Sequence, residues 1–128
     1  MFSCFVDFKK AFDSVHRDLL LNKLLNFGIN GKFFNIVRGI YTNDQACIKM
    51  NNVRCPAFGI NLGVRQGCVL SPLLFNIFLC DLAKTLQELE NAPDVDGVGI
   101  NSLFWADDLV LSENEEGLQH MITILEKY

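Results

Sequence analysis

Metal-binding and disulfide signals are sparse in this sequence. The five cysteines form no CxxC pair, which excludes the usual zinc-site spacing and favours free thiols in a reducing compartment over a disulfide scaffold. The two histidines, His16 and His120, have no partners at metal or catalytic spacing, so we interpret both as surface residues. A site built on histidine or cysteine is therefore not predicted.

Long apolar runs are also missing. The most hydrophobic stretch, residues 68–79, contains a proline and an asparagine and is too short to cross a bilayer. The N-terminal residues MFSCFVDFKK lack the apolar region of a signal peptide. We therefore expect an intracellular protein, nuclear or cytoplasmic, that is not secreted and has no membrane partner.

Positive charge is scarce as well. The net charge is −4 and the pI about 5.0, whereas domains that bind nucleic acid are normally basic. The charge alone argues against duplex binding and fits carboxylates that await a divalent cation. What the chain does have is material for a core: half of its 128 residues are hydrophobic, eleven of them Phe, which predicts one globular domain.

The hydrophobic pattern predicts an α+β fold. Apolar runs and turn residues indicate first a strand over 2–7, helices over 16–27 and from Gly31 onward, and a hairpin of 46–50 with 53–59. A helix follows from Ser71 to about Glu90, and then strands over 96–100 and 103–111 that meet near 101–102. A capping box at Ser112 and Glu115 opens the last helix. This succession suggests a ferredoxin-like fold, an antiparallel sheet with helices packed on one face. In such a sheet, strands 2–7 and 103–111 can lie side by side.

Three aspartates interrupt the two strands that we expect to be neighbours. Asp7 ends one strand, and Asp107 and Asp108 divide the other. Carboxylates within strands are costly unless something compensates them, and Mg²⁺ prefers oxygen ligands. Two such ions about 3.5–4 Å apart can promote phosphoryl transfer. On these residues alone, the alternative of a solvated turn stays open.

Three segments resemble motifs of the reverse transcriptases of non-LTR (LINE-type) retrotransposons, in the family's order. Residues 5–13 (FVDFKKAFD) resemble F-x-D-x-x-x-A-F-D, and residues 104–108 (FWADD) resemble the [FY]-A-D-D box. Residues 63–76 (GVRQGCVLSPLLFN) resemble G-x-R-Q-G-x-x-L-S-P-x-L-F-N, the most specific of the three. Trp105 stands where the family usually has Tyr or Phe. The resemblance covers nearly the whole chain and implies a polymerase palm.

The resemblance implies a two-metal site. Asp7 and Asp107 would be the principal ligands of two Mg²⁺ ions, with Asp108 beside them, and Mn²⁺ could replace Mg²⁺. The backbone carbonyl of Phe8 is similar to one that helps to hold the nucleotide-bound ion in this family.

The resemblance also implies a nucleotide pocket. The amides of Lys10 and Ala11 would face the incoming triphosphate. Phe12 resembles an aromatic steric gate, whose ring excludes a 2′-hydroxyl and so selects deoxynucleotides. Gln66 and Gly67 resemble the second motif's part of the pocket, where a glycine lets the backbone approach the substrate closely.

Two polar residues of the motifs have simpler interpretations as well. Arg65 could contact the template or a phosphate, or it could be a surface salt-bridge partner. We interpret Asp13 as helix-start chemistry and not as a metal ligand.

The expected function is that of an RNA-directed DNA polymerase palm acting on an RNA template, a DNA primer and deoxynucleoside triphosphates. We expect residues 1–128 to form a partial reverse transcriptase domain without fingers and thumb, which predicts an inactive isolated chain. One alternative is a non-catalytic remnant or domesticated interaction module. Another is an intron-encoded or telomere-type reverse transcriptase. The sequence does not indicate an oligomeric state.

Overall fold

The computed structural model describes residues 1–89 and 92–128. The helices are α1 (Ala11–Ser14), α2 (Arg17–Asn26), α3 (Gly31–Tyr41), α4 (Ser71–Gln87) and α5 (Glu115–Lys127). The strands are β1 (Phe2–Asp7), β2 (Gln45–Ala46), β3 (Lys49–Met50), β4 (Val53–Arg54), β5 (Phe58–Gly59), β6 (Asp94–Val95), β7 (Val98–Gly99), β8 (Ser102–Trp105) and β9 (Asp108–Glu113). The mixed helix-and-strand architecture with antiparallel pairing is as predicted.

The main sheet has three strands in the order β1-β9-β8, and both pairings are antiparallel. Successive residues of a strand point to opposite faces, so one face carries the core residues of the sheet, with Leu109 and Leu111 in its middle strand fully buried. Helices α4 and α5 cover this face. The other face is open: the side chains of Phe5 and Trp105 are 81% and 82% exposed. The predicted pairing of the first strand with the Asp-Asp strand is thus confirmed.

The helices follow the predicted pattern with small shifts at their ends. Helix α2 turns Leu20 and Leu24 into the core and is followed by Gly28 at a φ of 77°, the left-handed conformation that commonly ends a helix. Helix α4 begins at Ser71, with proline in its first turn, as predicted, and ends at Gln87. The predicted end near Glu90 lies outside the described residues.

The last strands differ from the prediction. Residues 103–111 are not one strand but the hairpin β8–β9, with Ala106 and Asp107 in the turn. Asp107 thereby lies in the turn and Asp108 at the exposed start of β9, so neither carboxylate bears the desolvation cost of a strand interior. The strand predicted over 96–100 is shorter, β7, and its predicted meeting with the 103–111 strand is wrong, because β7 pairs with β6 in a separate hairpin around Asp96-Gly97. Both turn residues have positive φ, 55° and 83°, as a tight two-residue turn requires.

The predicted hairpin around Asn51-Asn52 is present, with shorter strands. Strands β3 and β4 pair directly across the turn, and the outer pair β2–β5 closes the base of the loop. Asn51 and Asn52 have φ values of 47° and 64°. Asparagine tolerates this left-handed region better than most residues, which explains the choice of turn.

The predicted capping box of the last helix is wrong. Helix α5 begins at Glu115, and its cap is Asn114, whose side chain accepts a 2.9 Å hydrogen bond from the backbone N–H of Gly117. Ser112 instead lies in β9, where its Oγ is 3.2 Å from the Oγ of Ser3. Among the described helices, none combines the length and hydrophobicity needed to cross a membrane.

Candidate active site

Two of the three predicted metal ligands face each other across the main sheet. Asp7, the last residue of β1, is the register partner of Asp108, the first residue of β9, and both are exposed on the open face. Residues directly opposite in an antiparallel pair have Cα atoms about 4.5–5.5 Å apart. Like charges in such a pair repel each other and destabilise the sheet, so this pair is a place where a bound cation would stabilise the fold.

Asp107 occupies the adjoining turn. Asp107 is half-buried, and its backbone carbonyl accepts a hydrogen bond of 3.3 Å from the N–H of Phe8. This bond extends the β1–β9 ladder by one residue and fixes the turn beside the Asp7–Asp108 pair. The chain therefore brings the first and third motifs together at one end of the sheet.

The donor set fits a hard divalent cation, although it is not gathered into a finished site. Within residues 1–89 and 92–128, no three His, Cys, Asp or Glu side chains are placed to hold a metal ion together. Over the same residues, no lysine or arginine forms a salt bridge with Asp7, Asp107 or Asp108. Carboxylate oxygens left without a cationic partner are the ligand type that Mg²⁺ takes.

Backbone strain borders this end of the sheet. In the described part of the chain, Lys10 and Ala106 are the residues with positive φ, both 53°, that are neither glycine, asparagine nor aspartate. Lys10 lies three residues after Asp7, and Ala106 directly precedes Asp107. Left-handed conformations cost most residues about 1–2 kcal/mol and cluster at functional sites.

The turn after β1 already uses two backbone groups that the resemblance assigns to ligands. The N–H of Ala11 donates to the carbonyl of Phe8 at 3.2 Å, and Ala11 is buried. Lys10 caps helix α1 in the left-handed conformation, and its carbonyl accepts from the N–H of Ser14 at 2.9 Å. A carbonyl oxygen has two lone pairs, so Phe8 keeps one for another partner.

The structure brings three of the five predicted nucleotide-pocket residues together. Phe12, Gln66 and Gly67 line one cavity of about 530 Å³ at the start of α4. The Phe12 ring is fixed by stacking on Phe75, with ring centroids 4.8 Å apart and planes 23° from parallel. Gly67 has a φ of 76° and no atom near the position of a Cβ, so its backbone borders open space.

Backbone hydrogen bonds join the first and second motifs. The N–H of Gly63 donates to Val15 and that of Val64 to Phe12, each at 2.8 Å. A Cβ on Gly63 would lie 2.8 Å from the backbone of Asp13. Every residue other than glycine would therefore clash here. The side chain of Asp13 accepts a 2.9 Å hydrogen bond from Gln66, so this residue links the motifs in addition to lying in the first turn of α1.

A buried ion pair beside the segment that leads into the second motif was not predicted from the sequence. Arg17 is buried, donates to the carbonyl of Gly63 at 2.8 Å and forms a 2.9 Å ion pair with Asp44. Its guanidinium also lies 4.8 Å from the centre of the Tyr41 ring. The partners are 27 residues apart in sequence, and nothing in the spacing of Arg17 and Asp44 signals their contact.

Arg65 completes this network from the solvent side. It forms a 2.6 Å ion pair with the second oxygen of Asp44 and donates to the carbonyl of Ile40. The hydrogen bonds from Arg65 and from Arg17 outweigh the desolvation of Asp44 and hold the pKa of that carboxyl below its ordinary value. Of the two interpretations of Arg65, the structure shows the salt bridge.

The sequence of the whole domain matches a known family. Residues 2–128 match the model of the family described as reverse transcriptase (RNA-dependent DNA polymerase). The chain belongs to this reverse transcriptase family. The match spans all three motifs and both strands that carry the aspartates.

Relatives of this reverse transcriptase domain come mainly from mobile elements. It is 35% identical over 98% of its length to the Retrovirus-related Pol polyprotein from type-1 retrotransposable element R2 of Nasonia vitripennis, and 32% identical over 94% to that from type-2 retrotransposable element R2DM of Drosophila melanogaster. A Putative COX1/OXI3 intron 2 protein of Saccharomyces cerevisiae is 37% identical over 64% of the chain. The predicted resemblance to non-LTR retrotransposon enzymes is confirmed.

The reverse transcriptase domain is a small part of these relatives. It spans 12% of the length of each of the two R2 polyproteins and 9% of the intron 2 protein. The two R2 polyproteins match 98% and 94% of this chain, whereas the intron 2 protein matches 64% of it. This difference favours the retrotransposon lineage over an intron-encoded one.

Proposed function

We propose that this chain is the palm of an RNA-directed DNA polymerase, with a ferredoxin-like sheet that carries a two-metal nucleotidyl-transfer site. Asp7, Asp107 and Asp108 hold the ions, and the reaction adds a deoxynucleotide to a DNA primer on an RNA template. The observation that carries the proposal is the register pairing of Asp7 with Asp108 on the open face of the sheet. Membership of the reverse transcriptase family supports it.

The metal ions supply charge stabilisation. Two bound Mg²⁺ ions, or Mn²⁺ in their place, would stabilise the attacking oxygen of the primer 3′-hydroxyl and the leaving oxygen of the pyrophosphate. The chain's own contribution is to position carboxylates from two strands and one turn. The uncompensated repulsion between Asp7 and Asp108 supports a site that is completed by cations.

The cavity beside the sheet is the proposed nucleotide pocket. Phe12, held by its stack on Phe75, lies under the sugar and excludes a 2′-hydroxyl. Gln66 and Gly67 border the same cavity, and the amides of Lys10 and Ala11 face the triphosphate once the Ala11 N–H leaves the carbonyl of Phe8. A gate works by steric exclusion only if its ring cannot move, and the stacked geometry supports that requirement.

Cation binding is testable through the protein's single tryptophan. Trp105 is the register neighbour of Asp108 and is 82% exposed, so a luminescent Tb³⁺ ion at the aspartates would be excited through the indole. We expect saturable Tb³⁺ luminescence that Mg²⁺ or Mn²⁺ displaces, and at least a tenfold weaker affinity in the double variant Asp7→Asn/Asp108→Asn, since both oxygen ligands lose their charge.

The matched control is the double variant Asp94→Asn/Asp96→Asn. It removes the same charge from another hairpin, β6–β7, and asparagine retains both the side-chain oxygen and the tolerance for positive φ. We expect this control to bind Tb³⁺ as the unchanged chain does. Equal loss in the two double variants would show that the ion responds to net charge and would refute a site at Asp7 and Asp108.

Primer extension tests the polymerase itself. In a polyprotein that contains this domain, we expect Asp107→Ala to abolish deoxynucleotide addition to a DNA primer on a homopolymer RNA template with Mg²⁺. Synthesis at the unchanged rate would contradict the assignment of Asp107. The 128-residue chain alone should extend the primer little or not at all, because its net charge of −4 opposes binding of the primer and template.

A further inference from the structure

The Asn51–Asn52 hairpin, residues 48–55, carries a second like-charged pair. Lys49 on β3 is the register partner of Arg54 on β4, and both residues are exposed. Over residues 1–89 and 92–128, neither side chain forms a salt bridge with an acid. Two cations directly opposite each other destabilise a hairpin, so the pair is stabilised when an anion lies between them.

The sequence around the hairpin is locally basic in an acidic protein. From residue 45 to residue 80 there is no aspartate or glutamate, while the chain as a whole has a net charge of −4. The basic residues in this stretch are Lys49, Arg54 and Arg65, and Arg65 is already paired with Asp44. The unneutralised positive charge of the segment is therefore concentrated on the hairpin.

The opposite face of the hairpin is apolar. Side chains alternate along a strand, so Met50 and its partner Val53 lie on the face away from Lys49 and Arg54. Their side chains are 70% and 68% exposed, and that of Ile48 is 61% exposed. A surface that combines basic and apolar faces can serve a nucleic acid, an acidic membrane or a second protein chain.

We propose that the Asn51–Asn52 hairpin binds the phosphate backbone of a nucleic acid through Lys49 and Arg54. The choice of nucleic acid rests on the proposed function, since that is the polyanion on which a polymerase domain acts. A row of phosphates supplies the anions that the Lys49–Arg54 pair lacks, and each contact releases a counterion from the nucleic acid. The hairpin thus provides a phosphate-binding surface in a protein whose net negative charge opposes nucleic-acid binding.

The salt dependence of binding tests this proposal. Fluorescence anisotropy of a labelled RNA–DNA hybrid is measured with the 128-residue chain in EDTA over a series of salt concentrations. For Lys49→Gln/Arg54→Gln we expect weaker binding at low salt and a slope of log K against log salt that is smaller by about 1.8, because each lost phosphate contact removes about 0.9.

The matched control is Lys84→Gln/Lys127→Gln, which removes the same charge from helices α4 and α5. Lys84 makes a long 3.9 Å ion pair between exposed side chains, so its loss should leave the fold intact. We expect the control to keep the slope of the unchanged chain. Equal slopes in the two variants would overturn the proposal, because binding would then follow net charge.

Two further outcomes would also overturn it. Binding to phosphatidylserine vesicles that Lys49→Gln/Arg54→Gln abolishes, with no change in hybrid binding, would assign the hairpin to a membrane. A concentration-dependent dimer that Met50→Ser/Val53→Ser dissociates, again with hybrid binding unchanged in Lys49→Gln/Arg54→Gln, would assign it to a second copy.

The outcome is independent of the metal site. EDTA removes cations, and Asp7→Asn/Asp108→Asn should bind the hybrid at least as tightly as the unchanged chain. If the unchanged chain binds no Tb³⁺ at the aspartates while Lys49→Gln/Arg54→Gln lowers the salt slope, the metal site alone fails. If Tb³⁺ binds as expected while Lys49→Gln/Arg54→Gln keeps the slope, the hairpin proposal alone fails.

Discussion

Single residues determine how closely the motifs approach each other, and Gly63 does so most directly. Its φ is 80°, and it donates to Val15 while its own carbonyl accepts from the buried Arg17. Any side chain here would meet the backbone of Asp13, which cannot move without displacing helix α1. Gly63, the first glycine of the second motif, is thus required by packing against the first motif.

Alanine substitutions at two glycines should separate this clash from simple backbone strain. Gly67 has a similar φ of 76° but open space around it, whereas a Cβ on Gly63 would lie 2.8 Å from Asp13. We expect Gly67→Ala to lower the free energy of unfolding by about 1–2 kcal/mol, the left-handed penalty, and Gly63→Ala to lower it by clearly more. Urea denaturation measures both. Equal losses would show that the Asp13 contact yields at no cost.

Whole elements were predictable where one signal dominated. Strand β1, helices α2 to α4 and the Asn51–Asn52 turn follow from apolar spacing, Gly28, Ser71-Pro72 and paired asparagines. The hairpin β8–β9 was missed because apolar residues flank Asp107 and Asp108 on both sides, and Asp107 is the only residue of the two-residue turn whose type usually marks one. Tertiary pairing with β1 imposes that turn.

The motifs predicted which candidate residues lie near one another, and the roles of these residues stay predictions. The motifs identified Asp7, Phe12 and Gln66, and the fold brings each beside its expected neighbours. The Arg17–Asp44 pair could not be predicted, because it depends on the path of the chain between α3 and β2. Asn114 was overlooked as a helix cap in favour of Ser112, although its type and position were readable.

At the scale of the whole molecule, the Asp44 network holds distant segments together. Through Arg17 and Arg65 it ties the start of α2, the end of α3 and the segment 60–65 that leads into the second motif. The side chains of Arg17 and Asp44 are 8% and 6% exposed, and a buried pair that loses one partner leaves an unpaired charge. The position of the segment that leads into the second motif therefore depends on a carboxylate outside all three motifs.

The pH dependence of stability should reveal this carboxylate. Because the pKa of Asp44 is lowered in the folded chain, its stabilisation is present above the ordinary carboxyl pKa and is lost as the pH falls through the lower folded-state value. We expect Asp44→Asn to lower the free energy of unfolding at pH 7 by about 3–5 kcal/mol. The difference from the unchanged chain should shrink below about pH 4.

Urea denaturation at pH 7, 4 and 3 measures this difference, with Asp96→Asn as the control. Asp96 lies exposed in the β6–β7 turn, so its variant should follow the unchanged chain at every pH. A deficit in Asp44→Asn that stays constant down to pH 3 would contradict the ionised role of Asp44.

The open face of the main sheet has a practical consequence for handling the domain. Phe5 and Leu103 flank Val110 in one row across all three strands, and Trp105 follows beside them. Soluble monomers rarely leave such a strip uncovered, and strands β1 and β8 form the two edges of the sheet, the kind of surface that recruits further strands. We therefore expect this strip and these edges to determine how fast the purified domain aggregates. A folded core does not by itself prevent that aggregation.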